Sequence, residues 1–231
     1  MKTIAVILSG GTGTRLGSNT PKQYIEVNGK PVIQYSIETF ASMTEIDGFV
    51  ICLAYDWKPY MQSILVKGNI TKPVIFSQPG EVRQLTIYNA LQTLNKQGLE
   101  EDAVVVIHDA ARPFVSEELI RRCIDGCAEA DGTLPCIPVK DTLYQSKDGQ
   151  SITALLKRSE IVAGQAPEAF RFGKYWAAHN CMSHEDILLI SGSTELAYKM
   201  GLNVRLVKGE EINFKITTQE DLENFKHIFN K

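Results

Sequence analysis

The chain has 231 residues, 44% of them hydrophobic and 22% charged, and its 24 basic and 27 acidic side chains leave a formal net charge of −3. Such a composition belongs to a globular chain with enough apolar content for a core, and it excludes disordered and collagen-like classes. No apolar run approaches the roughly 18 residues of a membrane span, and the start MKTIAVILSGG lacks a secretory cleavage pattern. With no basic block to bind a phosphate backbone, a cytoplasmic protein is expected, one that engages neither nucleic acid nor membrane but can still take a small anionic substrate.

Val- and Ile-rich runs at 3–9, 48–54, 73–77, 103–108 and 133–139 have the character of buried parallel strands. Helix-period stretches lie between them at about 31–42, 57–67, 81–96 and 116–130, the last opened by Ser116 with Glu117 and Glu118 in its first turn. This alternation predicts an α/β sandwich around a mostly parallel sheet, with ligands gathered at the carboxyl ends of the strands. From 139 to 160 the rhythm changes to two strands joined by a Lys-Asp-Gly turn, a hairpin with no crossover helix after it. A lone two-stranded ribbon is marginal, so this one is expected to be an arm packed on a second subunit, the alternative being an antiparallel edge ribbon of the same chain. Helices near 172–182 and 187–200, strands at 203–207 and 212–217, and a last helix at about 219–229 complete the chain as one domain over 1–231. Five cysteines without a secretory signal are expected as reduced thiols, with Cys123 and Cys127 one helical turn apart as core residues. The four histidines show no ligand spacing, so no structural zinc is expected.

Two segments carry candidate chemistry. The first strand runs into LSGGTGTRLGSNTPKQY, where Gly10, Gly11, Gly13 and Gly17 suggest a loop whose backbone amides face phosphates. The spacing fits neither the dinucleotide fingerprint nor the G-x-x-x-x-G-K-[ST] loop. Its distinctive feature is a pair of cations, Arg15 and Lys22, suited to a triphosphate that loses pyrophosphate because charge builds on the leaving oxygens; a structural glycine turn with surface cations is the plainer alternative. In AVVVIHDAARPF, Asp109 falls just beyond a strand's carboxyl end, followed by Arg112. Such a carboxylate can hold Mg²⁺ or a substrate hydroxyl, or simply pair with the arginine.

Together, SGGTGTRLGSNTPKQY, PGEVRQLTIYNAL (79–91), VIHDAARPF, PVKDT (138–142) and NFKITT (213–218) strongly resemble the 2-C-methyl-D-erythritol 4-phosphate cytidylyltransferases, which share their pattern with ribitol-5-phosphate cytidylyltransferases. The resemblance runs from about residue 3 to 225 and implies a Rossmann-like three-layer sandwich of nucleotidyltransferase type with a protruding β-hairpin arm. It implies CTP and a polyol phosphate as substrates, Mg²⁺ bridging the phosphates, a CDP-polyol and pyrophosphate as products, and a homodimer. By position, Arg15, Lys22 and Lys215 would be catalytic cations on the phosphates. Ser9, Gly10, Gly11 and Gly13 would cradle the nucleotide, with Gly80, Glu81 and Thr86 reading cytosine. Asp109, Arg112 and Ser191 would meet the polyol phosphate, with Asp109 also the candidate metal contact. Arg158 would reach into the partner's site.

Departures from the family pattern gather on the acceptor side. Ala166-Pro167-Glu168 stands where Thr-Pro-Gln is usual, Ser191-Gly192-Ser193-Thr194 where Thr-Asp-(Asp/Glu)-Ala is usual, and Pro79 where a glycine is common. The 165–168 and 191–194 segments are expected to set which alditol phosphate is accepted, because each lost polar contact shifts specificity by an order of magnitude or more. Two other classes share parts of the pattern: a UTP- or dTTP-dependent nucleotide-sugar transferase, and a nucleotide-binding module without turnover.

Overall fold

The structure, a computed structural model, describes residues 1–11 and 20–229. The first run of buried β-branched residues forms strand β1 (Thr3–Leu8), and a small ribbon of β2 (Glu26–Val27) and β3 (Lys30–Pro31) leads into helix α1 (Val32–Ser42). There follow β4 (Gly48–Cys52), α2 (Lys58–Lys67), β5 (Val74–Ser77), α3 (Arg83–Lys96), β6 (Val104–Asp109), α4 (Glu117–Gly126) and β7 (Gly132–Pro138). The α4 start is the one read from sequence, for the Ser116 hydroxyl accepts from the Leu119 amide at 3.0 Å, with Glu117 and Glu118 favourably placed at the positive end of the helix dipole.

Side chains alternate across the sheet and divide the interior in two. Ala5, Ile7, Phe49, Ile51, Val104 and Val106 pack with α1, α2 and α4 on one face. Val6, Val50, Cys52, Val105 and Ile107 pack with α3 on the other. Three layers follow from the pleat and from β strands apolar on both faces. Cys123 and Cys127 are buried in the first of these cores, where burial pushes their thiols up to about 12 and about 11.

After β7 the chain forms a short ribbon, β8 (Tyr144–Gln145) with β9 (Ala154–Leu155), then β10 (Val162–Gly164) and β11 (Glu168–Arg171). Helices α5 (Phe172–Asn180), α6 (His184–Leu188) and α7 (Ser193–Lys199), strand β12 (Val204–Lys208) and helix α8 (Gln219–Phe229) complete it. The main sheet has the order β10-β7-β11-β6-β1-β4-β5, with β12 on the other edge of β7. Strands β5, β4, β1 and β6 are parallel neighbours, whereas β11 lies antiparallel between β6 and β7.

Three features depart from the sequence expectations. Strands β10 and β11 come from a stretch with no alternating pattern, interrupted by Gly164 and Pro167. The helix expected over 187–200 is two helices, separated at 189–192, and the break delivers Ser193 to the interior, fully buried. No ladder forms over 212–217; the backbone is instead a strap tied by other partners, the Ile216 amide donating to the Ala111 carbonyl at 2.9 Å. The hairpin over 139–160 is present but pairs through only two residues per strand.

Candidate active site

Along the chain the sheet grows from β1 outward to β4 and β5, then returns across β1 to place β6 on its other side. The crevice beyond the carboxyl ends of β1 and β6 is therefore the switch point where ligands bind in such sheets. A cleft of about 360 Å³ opens there, walled by Gly10 and Gly11 after β1, the 80–86 segment, Asp109 at the end of β6, Lys22, and Lys215 of the strap.

The glycine loop is braced from below. After Pro21, a 3₁₀ turn (Lys22–Tyr24) turns Gln23 back so that its amide donates to the carbonyls of Ser9 at 2.8 Å and Gly11 at 2.9 Å. The Ser9 amide donates to the Cys52 carbonyl and its hydroxyl to Tyr24 Oη at 3.0 Å, so Ser9 anchors the loop from inside. A Cβ on Gly10 would meet Pro79 Cβ at 2.4 Å, so the loop backbone abuts the 79–80 turn with no room for a side chain. Gly13 and Arg15 lie outside the described residues.

The opposite wall is made by the turn into α3. The Gly80 amide donates to the Thr86 hydroxyl at 2.9 Å, and that hydroxyl donates to the Val82 carbonyl at 3.2 Å. Thr86 therefore shapes the segment that presents Gly80 and Glu81 to the cleft. A Cβ on Gly80 would lie 2.3 Å from Leu85 Cβ, which makes the absence of a side chain a packing requirement.

Asp109 stands at the floor with three cations around it. Arg83 Nε is 3.3 Å from Oδ1, while Lys215 Nζ is 2.9 Å and Arg112 Nε 3.6 Å from Oδ2. Burial pushes the Asp109 carboxyl upward, but the charges of Arg83, Lys215 and Arg112 outweigh it and hold the group well below the usual carboxylate range. It is an anion at any physiological pH and can only accept hydrogen bonds. Arg112 also donates through Nη1 to the Asn213 carbonyl at 2.6 Å, and Lys22 Nζ donates to the Ile216 carbonyl at 2.8 Å, so both cations are tied to the strap that carries Lys215.

Thus Gly10, Gly11, Lys22, Gly80, Glu81, Thr86, Asp109 and Lys215 meet around one cleft, with Arg112 on its Asp109. Arg158 and Ser191 are not part of that wall. Arg158 lies exposed in a 3₁₀ turn beside the hairpin, its Nη1 donating to the Lys140 carbonyl, and Ser191 lies exposed with its amide held by Glu195 at 2.8 Å. On the acceptor side, Ala166 is buried, whereas a Cβ on Gly192 would meet nothing within 4 Å. Sequence reading missed Gln23 and Arg83, and it named Glu168 only as a departure from the family pattern. Arg83 had a signal: a cation at the first position of a helix opposes the dipole, which calls for carboxylate partners elsewhere.

Compared with known proteins, residues 3–231 match the model of the family described as IspD, 2-C-methyl-D-erythritol 4-phosphate cytidylyltransferase. Among solved structures, the chain is similar to 4-diphosphocytidyl-2C-methyl-D-erythritol synthase from Anaerococcus prevotii DSM 20548, with a TM-score of 0.82 and 25% identity over 100% of this chain and 96% of that one. The 2-C-methyl-D-erythritol 4-phosphate cytidylyltransferase of Francisella tularensis gives a TM-score of 0.82 at 24% identity, covering 98% of this chain and 99% of that one. That of Thermus thermophilus gives 0.78 at 23% identity with 100% of each chain covered. The last two are likenesses of fold.

Proposed function

The chain belongs to the 2-C-methyl-D-erythritol 4-phosphate cytidylyltransferase family, and from that premise we propose that it transfers the cytidylyl group of CTP to 2-C-methyl-D-erythritol 4-phosphate, releasing pyrophosphate. The observation that carries this reading is the convergence of Arg83, Lys215 and Arg112 on Asp109, with Lys22 lining the same cleft, beside a glycine loop at the switch point of the sheet.

A phosphate oxygen of the acceptor bonds to the α-phosphorus of CTP as the bond to the bridging oxygen breaks, and pyrophosphate carries away the electron pair. No general base is needed, because a phosphate monoester is already mostly ionised at neutral pH, with a second pKa of about 6. Catalysis then reduces to positioning and to fixed positive charge where negative charge develops. The Gly10–Gly11 backbone and Lys22 face the triphosphate, with Arg15 as the second cation of that loop. The Gly80–Glu81 turn, set by Thr86, reads the base. Asp109 accepts from the polyol hydroxyls, and Lys215 and Arg112 hold the acceptor side.

Magnesium fits this site as the counterion of the nucleotide. Both oxygens of Asp109 are already shared among three cations, and no group of three His, Cys, Asp or Glu converges among the described residues, so the oxygens available to the ion are those of the triphosphate. When bound, Mg²⁺ would neutralise and orient the phosphates. Asp109 serves the acceptor.

The hairpin supports a homodimer in which Arg158 of each chain completes the other's acceptor site. Tyr144, Ile152 and Leu155 on it are 56%, 67% and 66% exposed, an apolar surface that a lone chain leaves in water. No helix among the described residues is long and apolar enough to cross a membrane, and a cytoplasmic enzyme fits that composition.

A pyrophosphate-release assay with Mg²⁺, crossing CTP, UTP and dTTP with a panel of alditol phosphates, tests the assignment. Turnover is expected with CTP and 2-C-methyl-D-erythritol 4-phosphate. Preference for ribitol 5-phosphate would trace to Ala166, Glu168 and Gly192; preference for UTP or dTTP would overturn the base assignment, and CTP binding without turnover would leave a nucleotide-binding module.

A further inference from the structure

Arg83 ties together the ends of four elements at the floor of the cleft. It is the first residue of α3, and its guanidinium reaches Asp109 Oδ1 at the end of β6 at 3.3 Å, Glu168 Oε1 on β11 at 3.5 Å and the Ser193 hydroxyl at the start of α7 at 2.5 Å. Glu168 is buried and also accepts from the Thr194 hydroxyl at 3.2 Å. Arg83 faces the cleft, whereas Glu168 does not.

The contacts on Asp109 divide between its oxygens. Lys215 and Arg112 both act on Oδ2, and only Arg83 holds Oδ1 among the described residues. Without it the carboxylate keeps two cations on one oxygen and is free to rotate about the bond that sets the other. A planar guanidinium with fixed N–H directions suits this task, since its remaining nitrogens are already engaged and cannot reorient without breaking contacts to Glu168 and Ser193.

Those contacts are themselves held from behind. Gln84 donates to Tyr175 Oη at 3.0 Å and to His179 Nε2 at 2.7 Å, and Tyr175 Oη donates to the Ser193 carbonyl at 3.1 Å. Ser193 is thus gripped by its hydroxyl from Arg83 and by its carbonyl from Tyr175. Neighbouring residues of α3 pin the start of α7 from two directions. The same turn of chain, through Gly80 and Glu81, forms the nucleotide wall.

We propose that Arg83 is a positioning residue for the acceptor: braced by Glu168 and Ser193, it fixes the orientation of the Asp109 carboxylate that receives the polyol hydroxyls. The inference rests on the transfer reaction proposed above. It makes Glu168 the back anchor of this brace, a carboxylate whose charge balances the guanidinium away from substrate.

The alternative is that Arg83 merely neutralises a buried Glu168. Three variants separate the two, Arg83→Gln, Arg83→Lys and the double Arg83→Gln/Glu168→Gln, each followed by thermal melting, KM for CTP, and kcat/KM for the acceptor. Arg83→Gln is expected to lower the melting temperature, because it leaves a buried carboxylate unpaired, and to lower acceptor kcat/KM by up to about a hundredfold, the scale of a small misplacement at a reacting centre. The double variant removes the unpaired charge. It should recover the melting temperature but not acceptor kcat/KM, with KM for CTP unchanged throughout, and Arg83→Lys should likewise keep charge and stability without restoring kcat/KM. Recovery of both quantities in the double variant or in Arg83→Lys, or a loss confined to CTP binding, would overturn the positioning role alone. Absence of turnover by the unsubstituted protein with every acceptor would overturn the transfer reaction and this inference with it.

Discussion

Lys22 Nζ sits 2.8 Å from the carbonyl oxygen of Ile216, a contact between residues 194 positions apart that ties the C-terminal strap to the 3₁₀ turn beside the cleft. The strap brings Lys215, the residue before Ile216, to Asp109, so one backbone segment locates two of the cations that line the cleft. Lys22→Ala should lower kcat by about a hundredfold or more, the usual cost of removing one transition-state donor, while the far-ultraviolet spectrum is retained. Turnover at saturating CTP and acceptor is the measurement, and a wild-type value would remove Lys22 from the chemistry.

Gly80 has no space for a methyl group, since its Cβ would lie 2.3 Å from Leu85 Cβ and 2.7 Å from the Leu85 carbonyl carbon, both parts of α3. Gly80→Ala must displace the turn that Thr86 holds, and with it the wall of the cleft proposed to read the base. KM for CTP is expected to rise roughly tenfold or more, the equivalent of about one displaced hydrogen bond, and preference for CTP over UTP should fall. Unaltered nucleotide kinetics in a folded Gly80→Ala protein would place the base elsewhere.

The hairpin leads to a prediction about assembly. Leu155→Asp, at a 66% exposed position on a strand whose ladder is two residues long, should convert a dimer to a monomer in sedimentation and reduce activity with it. Mixing inactive Arg15→Ala and Arg158→Ala proteins should restore a fraction of turnover through hybrid sites. A wild-type monomer, or no recovery after verified subunit exchange, would count against the shared site.

Two buried histidines give stability a pH dependence. Burial pushes His108 and His179 down to about 4 from 6.5; His108 as a neutral ring donates through Nε2 to the Arg112 carbonyl at 3.0 Å, and His179 donates through Nδ1 to the Tyr175 carbonyl at 2.8 Å. Because the folded values lie below the unfolded one, the unfolded chain takes up protons first as pH falls through 6.5, and stability is lost on acidification. Each histidine contributes a slope of about 1.4 kcal/mol per pH unit in this range. Between pH 6.5 and about 5, above the carboxylate range, melting temperature should fall steadily, and His179→Gln should show a shallower fall than wild type. Equal slopes in the two proteins would mean that His179 is protonated in the fold.

Local chemistry made much of this protein legible in one dimension. Valine and isoleucine runs buried on both faces specify parallel strands, as in β1, β4 and β6; Ser116 with two glutamates specifies the start of α4; glycines after β1 and an aspartate at the end of β6 mark where the cleft opens, because strand ends in such sheets converge. Other features depended on partners remote in sequence. Strand β11 pairs with β6 and β7 although its own segment has no alternation, and 212–217 stays out of any ladder because Arg112, Ala111 and Lys22 take its backbone groups. The role of Arg83 belongs here too. Its residue type and helix position were visible, but the carboxylates that justify a cation there lie 26 and 85 positions away, and only folding sets their distances from it. Hydrogen bonds and ion pairs of this kind are fixed by which surfaces the packed layers press together, and no local pattern in a single chain encodes that choice.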